Sequence, residues 1–285
     1  MVNSVCIKTN NNNIISYLLE QLSNIDLDDI YISKNSFKNY DNVIIHYVGI
    51  SRDLFYTKLC ETLSNSTIEL YESSILKRII DLNYFYFTDH EKRKILDICL
   101  DTIKCDDNTD IECRKDTIFI AFLKYLLENK SLVLDGFINF RLSEYIKVLD
   151  STVDFAVNKF LIEREYNEFI DLLKLYIDSK EPTVSKIHLI YCNHESILID
   201  EFNNVINTDN PTFNAKYLSD ITFSSNDYAL NALLTLLPEE VYIHLIDEED
   251  EFINTLKLIF NNRVYLCRDC NICRAYSFSR LRNKK

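Results

Sequence analysis

The scarcity of glycine constrains the fold of this chain more than any other feature of its sequence. Its 285 residues include only two glycines, Gly49 and Gly136, whereas a share of about 7% is average. Loops that cradle phosphates need several clustered glycines, because only a backbone without Cβ atoms approaches the phosphates closely. The sequence therefore argues against a P-loop and against a dinucleotide-binding fold. Asn, Asp and Ser residues are expected to supply the turns instead.

The composition predicts a globular protein that stays in the cytoplasm. Hydrophobic residues make up 47% of the chain, with 18 Tyr and 17 Phe, which is enough to build a core rather than a disordered chain. No apolar run approaches the ~18 residues of a membrane helix, and the N-terminus lacks the pattern of a secretory signal peptide. Nine cysteines without such a signal are typical of reduced thiols in the cytosol.

The net charge of −13 makes nucleic acid an unfavourable partner, because an acidic surface repels phosphate backbones. A protein partner is the expected alternative. The last twelve residues differ from the rest, since they are basic and interleave Tyr276 and Phe278 with the cations. Such a tail can contact nucleic acid or anionic lipid, but it is more often solvated or folded back on an acidic surface.

Hydrophobic periodicity predicts an α+β fold. Residues 2–8, 30–33 and 43–48 are expected to form strands around a helix with Ile14, Leu18 and Leu22 on one face, which gives an N-terminal β-α-β-β unit. Helices are expected to follow, two of them within residues 51–82. Near the C-terminus, strands at 186–191, 241–246 and 263–266 alternate with helices, as expected for a partly parallel sheet. A short strand is also predicted at 220–223.

The longest helical pattern covers residues 139–178, with apolar residues spaced by three or four. Forty helical residues would extend about 60 Å, so a break is expected near residues 162–165, where the pattern slips. The predicted organisation is a small α/β unit at 1–50, a helical region with one long broken helix at 51–182, and a C-terminal α/β unit at 183–285 that ends in a cysteine-rich segment and the basic tail.

The cysteine cluster near the C-terminus is the sharpest chemical signal. Cys267, Cys270 and Cys273 follow a predicted strand at intervals of three, and in a turn this spacing lets thiolates converge on one metal ion. Zinc is the favoured ion, and an iron–sulfur cluster is the alternative. Thiol redox chemistry and a purely structural role also remain open. Because a structural zinc ion takes four ligands, one is missing from this segment.

The missing ligand is expected from another part of the chain. Cys192, His188 and His244 are the leading candidates, and His194 is a weaker one. The two strand histidines lie among alternating apolar residues, so a role as ordinary core or rim residues is the simpler interpretation of each. The functional interpretation is that their strands are neighbours and that they face the cysteines.

Charged residues along the long helix form a candidate interaction surface. Glu165 and Glu168 lie three residues apart on one face, and Arg141 lies on the same segment. Paired carboxylates can act as acid and base, but a run of charges on a helix is usually a solvated face. No signature of a nucleophilic enzyme is present in the sequence, so a binding or structural protein is favoured over an enzyme.

Three stretches of the chain together carry a family resemblance. They are GFINFRL at 136–142 with EREYNEFI at 163–170, LLTLLP at 233–238 with VYIH at 241–244, and RVYLCRDCNIC at 263–273. Over about residues 132–273 the chain resembles the YtxC-like sporulation proteins of spore-forming Firmicutes. It departs from the family pattern at Asp269, where the pattern has glycine. The resemblance implies a role in endospore formation and no defined enzymatic activity, cofactor or site.

Three functions follow as hypotheses. The leading one is a non-enzymatic, sporulation-associated cytoplasmic protein with a zinc-binding C-terminal module. The second is an enzyme that uses the cysteine cluster for redox or iron–sulfur chemistry. The third is a scaffold that binds a partner helix along residues 139–178.

Overall fold

The computed structural model describes residues 3–24, 29–37, 40–105, 108–206 and 224–276. The chain forms two compact units, Met1–Ile162 and Glu163–Lys285. The predicted strand at 220–223 lies outside the described residues, as does most of the basic tail. The division into three parts at residues 50 and 182 stays a prediction.

The first unit contains a four-stranded sheet that begins with the predicted β-α-β-β arrangement. Its strands lie in the order β2-β3-β1-β4, with antiparallel pairing except between β1 and β4, which are parallel. The fourth strand occupies a segment for which the sequence predicted no strand. The elements are β1 (Asn3–Thr9), α1 (Asn12–Ser23), β2 (Ile30–Ser36), β3 (Asp41–Tyr47) and β4 (Ser131–Val133).

Four helices and the first part of a fifth complete the described elements of the first unit. The four are α2 (Arg52–Asn83), α3 (Asp89–Cys105), α4 (Asn108–Glu128) and α5 (Leu134–Arg141). Where the sequence suggested two helices within residues 51–82, α2 is one helix of 32 residues. The apolar periodicity lapses in its middle because the buried residues there are the small Ser64, Ser66 and Thr67. Their hydroxyls donate to carbonyls three or four residues earlier in the same helix, so burial leaves them satisfied.

Helix α6 (Ser143–Asp178) is a single element of 36 residues. The break expected at residues 162–165 is not present, since these residues are helical. Glu and Arg are good helix formers, and Arg164 also pairs with Glu168 one turn later, at 3.7 Å. The division between the two units falls within this helix, between Ile162 and Glu163.

A buried hydrogen bond between two side chains lies in the core of the first unit. The hydroxyl of Tyr145, which is fully buried, donates to Glu72 Oε2 at 2.6 Å. Burial first and the Glu72 carboxylate second raise the pKa of Tyr145 above its usual range, and the Arg114 guanidinium partly opposes them. The contact joins α2 to α6 within the first unit.

The second unit contains a mixed four-stranded sheet, which is partly parallel as the sequence predicted but includes a strand at residues 195–200 that the sequence did not predict. Its strands lie in the order β6-β5-β7-β8, with β5, β7 and β8 parallel and β6 antiparallel to β5. The whole chain therefore has an α+β fold with a partly parallel C-terminal sheet. The elements are β5 (Val184–Cys192), β6 (Glu195–Asp200), α7 (Ser225–Leu236), β7 (Pro238–Leu245), α8 (Glu251–Phe260) and β8 (Val264–Cys267).

One face of this second sheet forms the core of the unit. Alternate residues of β5 and β7 pack with apolar residues of α7, α8 and the last turns of α6, as the period of two in a strand requires. The same alternation places His188 and His244 on the opposite face. The core residues of the two strands are Ile187, Leu189, Tyr191, Val241, Ile243 and Leu245.

No helix in the described parts of the chain combines the length and the apolar character needed to cross a membrane. The helices are long enough in several cases, but their charged residues are too frequent.

Candidate metal centre

The three cysteines lie at the end of β8 and in the turn that follows it. Cys267 is the last residue of β8, and Cys273 lies in the first helical turn of residues 271–276. Cys270 precedes this turn, and its sulfur accepts a hydrogen bond from the Cys273 amide at 3.4 Å. The chain therefore curls after the strand and brings the three thiols to one side.

His244 completes a group of four ligand atoms. The sulfur of Cys270 lies 3.3 Å from His244 Nδ1, and that of Cys273 lies 3.4 Å from the same nitrogen. The Cys273 sulfur is 3.6 Å from that of Cys270 and 3.8 Å from that of Cys267. All four ligand atoms lie within 4.8 Å of one another.

The register of the parallel strands explains why His244 reaches the cysteines. In the pairing of β7 with β8, His244 lies opposite Cys267, and residues at equivalent positions of neighbouring strands point to the same face of a sheet. His244 and Cys273 are buried, whereas Cys267 and Cys270 are half-buried. The group is thus largely shielded from solvent.

Burial and hydrogen bonding shift the pKa values of three side chains in this group. Burial lowers the pKa of His244 to about 4, and the neighbouring His188 adds to the effect, so the imidazole is neutral near pH 7. Burial raises the pKa of Cys270, but hydrogen bonds from the Cys273 amide and from the neighbouring thiols outweigh it, so the pKa falls below the usual value. Burial raises the pKa of Cys273 to about 12. The neutral imidazole is the form that binds a metal ion, whereas each cysteine thiol loses its proton when it binds one.

Ion pairs hold the turn that carries the cysteines. Arg274 donates two hydrogen bonds to the Asp269 carboxylate, at 2.7 and 3.0 Å, and Arg268 pairs with Glu249 at 3.0 Å. Asp269 is not among the residues with positive φ, so its backbone does not require glycine. The carboxylate that departs from the family pattern therefore closes the turn through Arg274.

The other candidates for the fourth ligand lie outside this group of four. His188 contacts His244 on the side of the ring opposite to the cysteines, since its Nδ1 lies 2.9 Å from His244 Nε2. Cys192 is half-buried at the end of β5. His194 is exposed and pairs with Asp250 at 3.2 Å.

The predicted interaction residues are divided between the two units. Arg141 ends α5 in the first unit, whereas Glu165 and Glu168 lie on the part of α6 that belongs to the second unit. All three side chains are exposed. Glu168 forms the surface ion pair with Arg164, which is the arrangement expected of a solvated helix face.

Sequence reasoning did not find the contact between the two histidines or the pairing of Asp269 with Arg274. Alternation along the strands was the available signal for the first, since it places both histidines on the face away from the core. The second depends on the shape of a turn, for which the sequence offered no period or spacing rule.

Comparison with known proteins gives the family of the chain. Residues 57–265 match the model of the YtxC-like family. The chain belongs to this family. The matched range includes His188 and His244 and ends just before Cys267.

A curated relative of this chain is the uncharacterized protein YtxC of Bacillus subtilis (strain 168). It is 24% identical to the chain over 203 residues, which cover 69% of this chain and 72% of the relative. No solved structure matches the chain.

Proposed function

We propose that this chain is a non-enzymatic, sporulation-associated protein of the cytoplasm whose second unit binds one zinc ion. The ligands are His244 Nδ1 and the sulfurs of Cys267, Cys270 and Cys273. The ion has a structural role, because four protein ligands fill a tetrahedral coordination sphere and leave no open position for a substrate or an activated water.

The spacing of the four ligand atoms is the observation that supports this proposal. A tetrahedral zinc ion with Zn–S bonds of about 2.3 Å holds two sulfurs about 3.8 Å apart. Two of the sulfur–sulfur distances are 3.6 and 3.8 Å. The shorter distances from sulfur to His244 Nδ1, 3.3 and 3.4 Å, agree with Zn–N bonds, which are shorter than Zn–S bonds.

The same distances favour a single ion over an iron–sulfur cluster. Each cysteine of a cubane cluster binds a different iron, so the sulfurs would have to be further apart than sulfurs that share one ion. An enzyme that carries such an iron–sulfur cluster is therefore the less supported alternative. A brown protein with visible absorbance after anaerobic purification would favour that alternative.

Elemental analysis of the full chain, purified without oxygen, tests the zinc site. We expect about one zinc per chain, and we expect its loss in the Cys267→Ser/Cys270→Ser/Cys273→Ser and His244→Ala variants. Cys192→Ser is the matched control, since it removes a cysteine of the same sheet that lies outside the group of four. Zinc that persists without the three cysteines would refute the site.

The sporulation role rests on the family resemblance and needs a separate test. Deletion of the gene in its own host is expected to reduce the number of heat-resistant spores, and the wild-type gene is expected to restore it. If the zinc ion is needed for this role, the gene with three serines does not restore it. An unchanged spore count after deletion would remove sporulation from the proposal.

A scaffold that binds a partner protein through α6 is the second candidate. The observation that favours it is a row of exposed apolar side chains, Phe169, Leu172 and Tyr176, at the spacing of one helix face. A partner that co-purifies after loss of the three cysteines, and that is lost on charge reversal of Glu165 and Glu168, would support the scaffold. Co-purification that depends on the cysteines would contradict it.

A further inference from the structure

A hydrogen bond between two histidines lies directly behind the proposed metal site. His188 on β5 and His244 on β7 face each other across the parallel pair of strands, with Nδ1 of His188 at 2.9 Å from Nε2 of His244. His244 thus uses one ring nitrogen toward the cysteines and the other toward His188.

The chemistry of imidazole allows one assignment of protons that serves both contacts. A nitrogen that binds a metal ion must offer its lone pair, so the proton of neutral His244 is on Nε2. That N–H donates to His188 Nδ1, which accepts. The remaining proton of neutral His188 is then on its own Nε2.

The strands hold His188 in place for this contact. In the parallel register His188 lies opposite Tyr242, and the centroids of the two rings are 5.4 Å apart. On its other side β6 places the buried Ile199 opposite His188. The Lys186 ammonium lies over the Tyr242 ring at 4.6 Å. Neighbours on three strands therefore restrict the orientation of the His188 ring.

We infer that His188 is a positioning residue of the metal site, which orients His244 and fixes the proton on its Nε2. The inference rests on the proposed zinc site. Ligating histidines usually donate their second ring N–H to an acceptor, which fixes the tautomer and makes the ligand more basic. The acceptor here is the imidazole of a second histidine.

Two substitutions at residue 188 separate the acceptor from the packing. His188→Leu removes the acceptor while keeping a side chain of similar size, and it is expected to weaken zinc affinity about 10- to 100-fold. His188→Asn keeps an acceptor, because its Oδ1 occupies nearly the same position as Nδ1 of histidine. We expect His188→Asn to bind zinc within a few-fold of the wild-type protein.

Competition with a chromogenic chelator measures the affinities of the full chain for zinc. The ring N–H proton of His244 in ¹⁵N-edited NMR spectra gives a second measurement, which a purely structural role of residue 188 would not change. We expect a protected, hydrogen-bonded proton in the wild-type protein and in His188→Asn, and its loss in His188→Leu. His194→Leu, which removes an exposed histidine, is the control and should bind zinc like the wild type.

Different outcomes overturn the inference and the proposed function. Wild-type zinc affinity in His188→Leu would refute a positioning role while leaving the zinc site intact. Equal losses in His188→Leu and His188→Asn would assign the effect to packing rather than to hydrogen bonding. A wild-type protein that binds no zinc would refute the zinc site itself, and the role of His188 with it.

Discussion

Removal of the metal ion should destabilise the second unit. The number of residues between the ligands determines by how much. The ion would link His244 to Cys270, which are 26 residues apart in the sequence. A cross-link over a loop of that length removes about 3.5 kcal/mol of conformational entropy from the unfolded chain at 25 °C, by the relation used for disulfides. Mass action gives a similar figure, ~4 kcal/mol, when free zinc is at 1,000 times its dissociation constant.

Hydrogen exchange followed by mass spectrometry tests this prediction region by region. A difference of about 3.5 kcal/mol corresponds to roughly 300-fold faster exchange for amides that open with the second unit. We expect this change for the amides of β7 and β8 when a chelator is added. The amides of β1 and β3 in the first unit are the internal control and should not change.

Two results would refute this reasoning. Equal acceleration of amide hydrogen exchange in both units would mean that the chelator acts on the whole chain rather than through the ligands in the second unit. An unchanged second unit would mean that no ion links the two ends of the loop. The variant with three serines should already exchange fast and should not respond to the chelator, whereas Cys113→Ser in the first unit should respond like the wild type.

Three further predictions concern the fold. Tyr145→Phe removes a hydrogen bond to the buried Glu72 carboxylate and should lower the free energy of unfolding in urea by about 1.5–3 kcal/mol. Because the pKa of Tyr145 is raised in the folded state, stability should fall as pH rises above ~10, and the Phe variant should show a smaller fall; an identical pH profile would contradict this. Gly49→Ala places a Cβ against the hydroxyl and ring of the buried Tyr47, so a loss of about 1–3 kcal/mol in the free energy of unfolding is expected, and an unchanged urea midpoint would show that the ring moves freely. Ser224→Ala removes the capping box of α7 and should cost ~1 kcal/mol, whereas Ser224→Asp should cost less in the same titration.

The sequence predicted those parts of the fold that follow from local periodicity. Alternating apolar residues located β1, β3, β5 and β7. Strand β4 was missed, since three residues are too few to establish a period. The continuity of helix α2 was missed because small hydroxyl residues are buried in its middle, where hydrophobic periodicity would require large apolar ones.

The candidate site was only partly accessible from the sequence. The spacing of Cys267, Cys270 and Cys273 indicated a metal site, because a single short turn is enough to bring the three thiols together. The position of His244 beside them depends on the pairing of β7 with β8, and pairing between strands separated by a helix has no local signature. The sequence therefore supplied the group of candidates for the fourth ligand, and the register of the sheet distinguishes His244 from His188.

The position of β8 at one end of the sheet has a consequence for the backbone groups along its outer edge. This strand has four residues and lies at one end of the sheet order, so no strand among the described residues pairs with its outer edge. Unpaired strand edges are templates for addition of a strand from another molecule. A zinc ion at the end of β8 would hold the following turn against the sheet and limit access to this edge. Loss of the zinc ion would then leave this edge open to a strand from a second molecule.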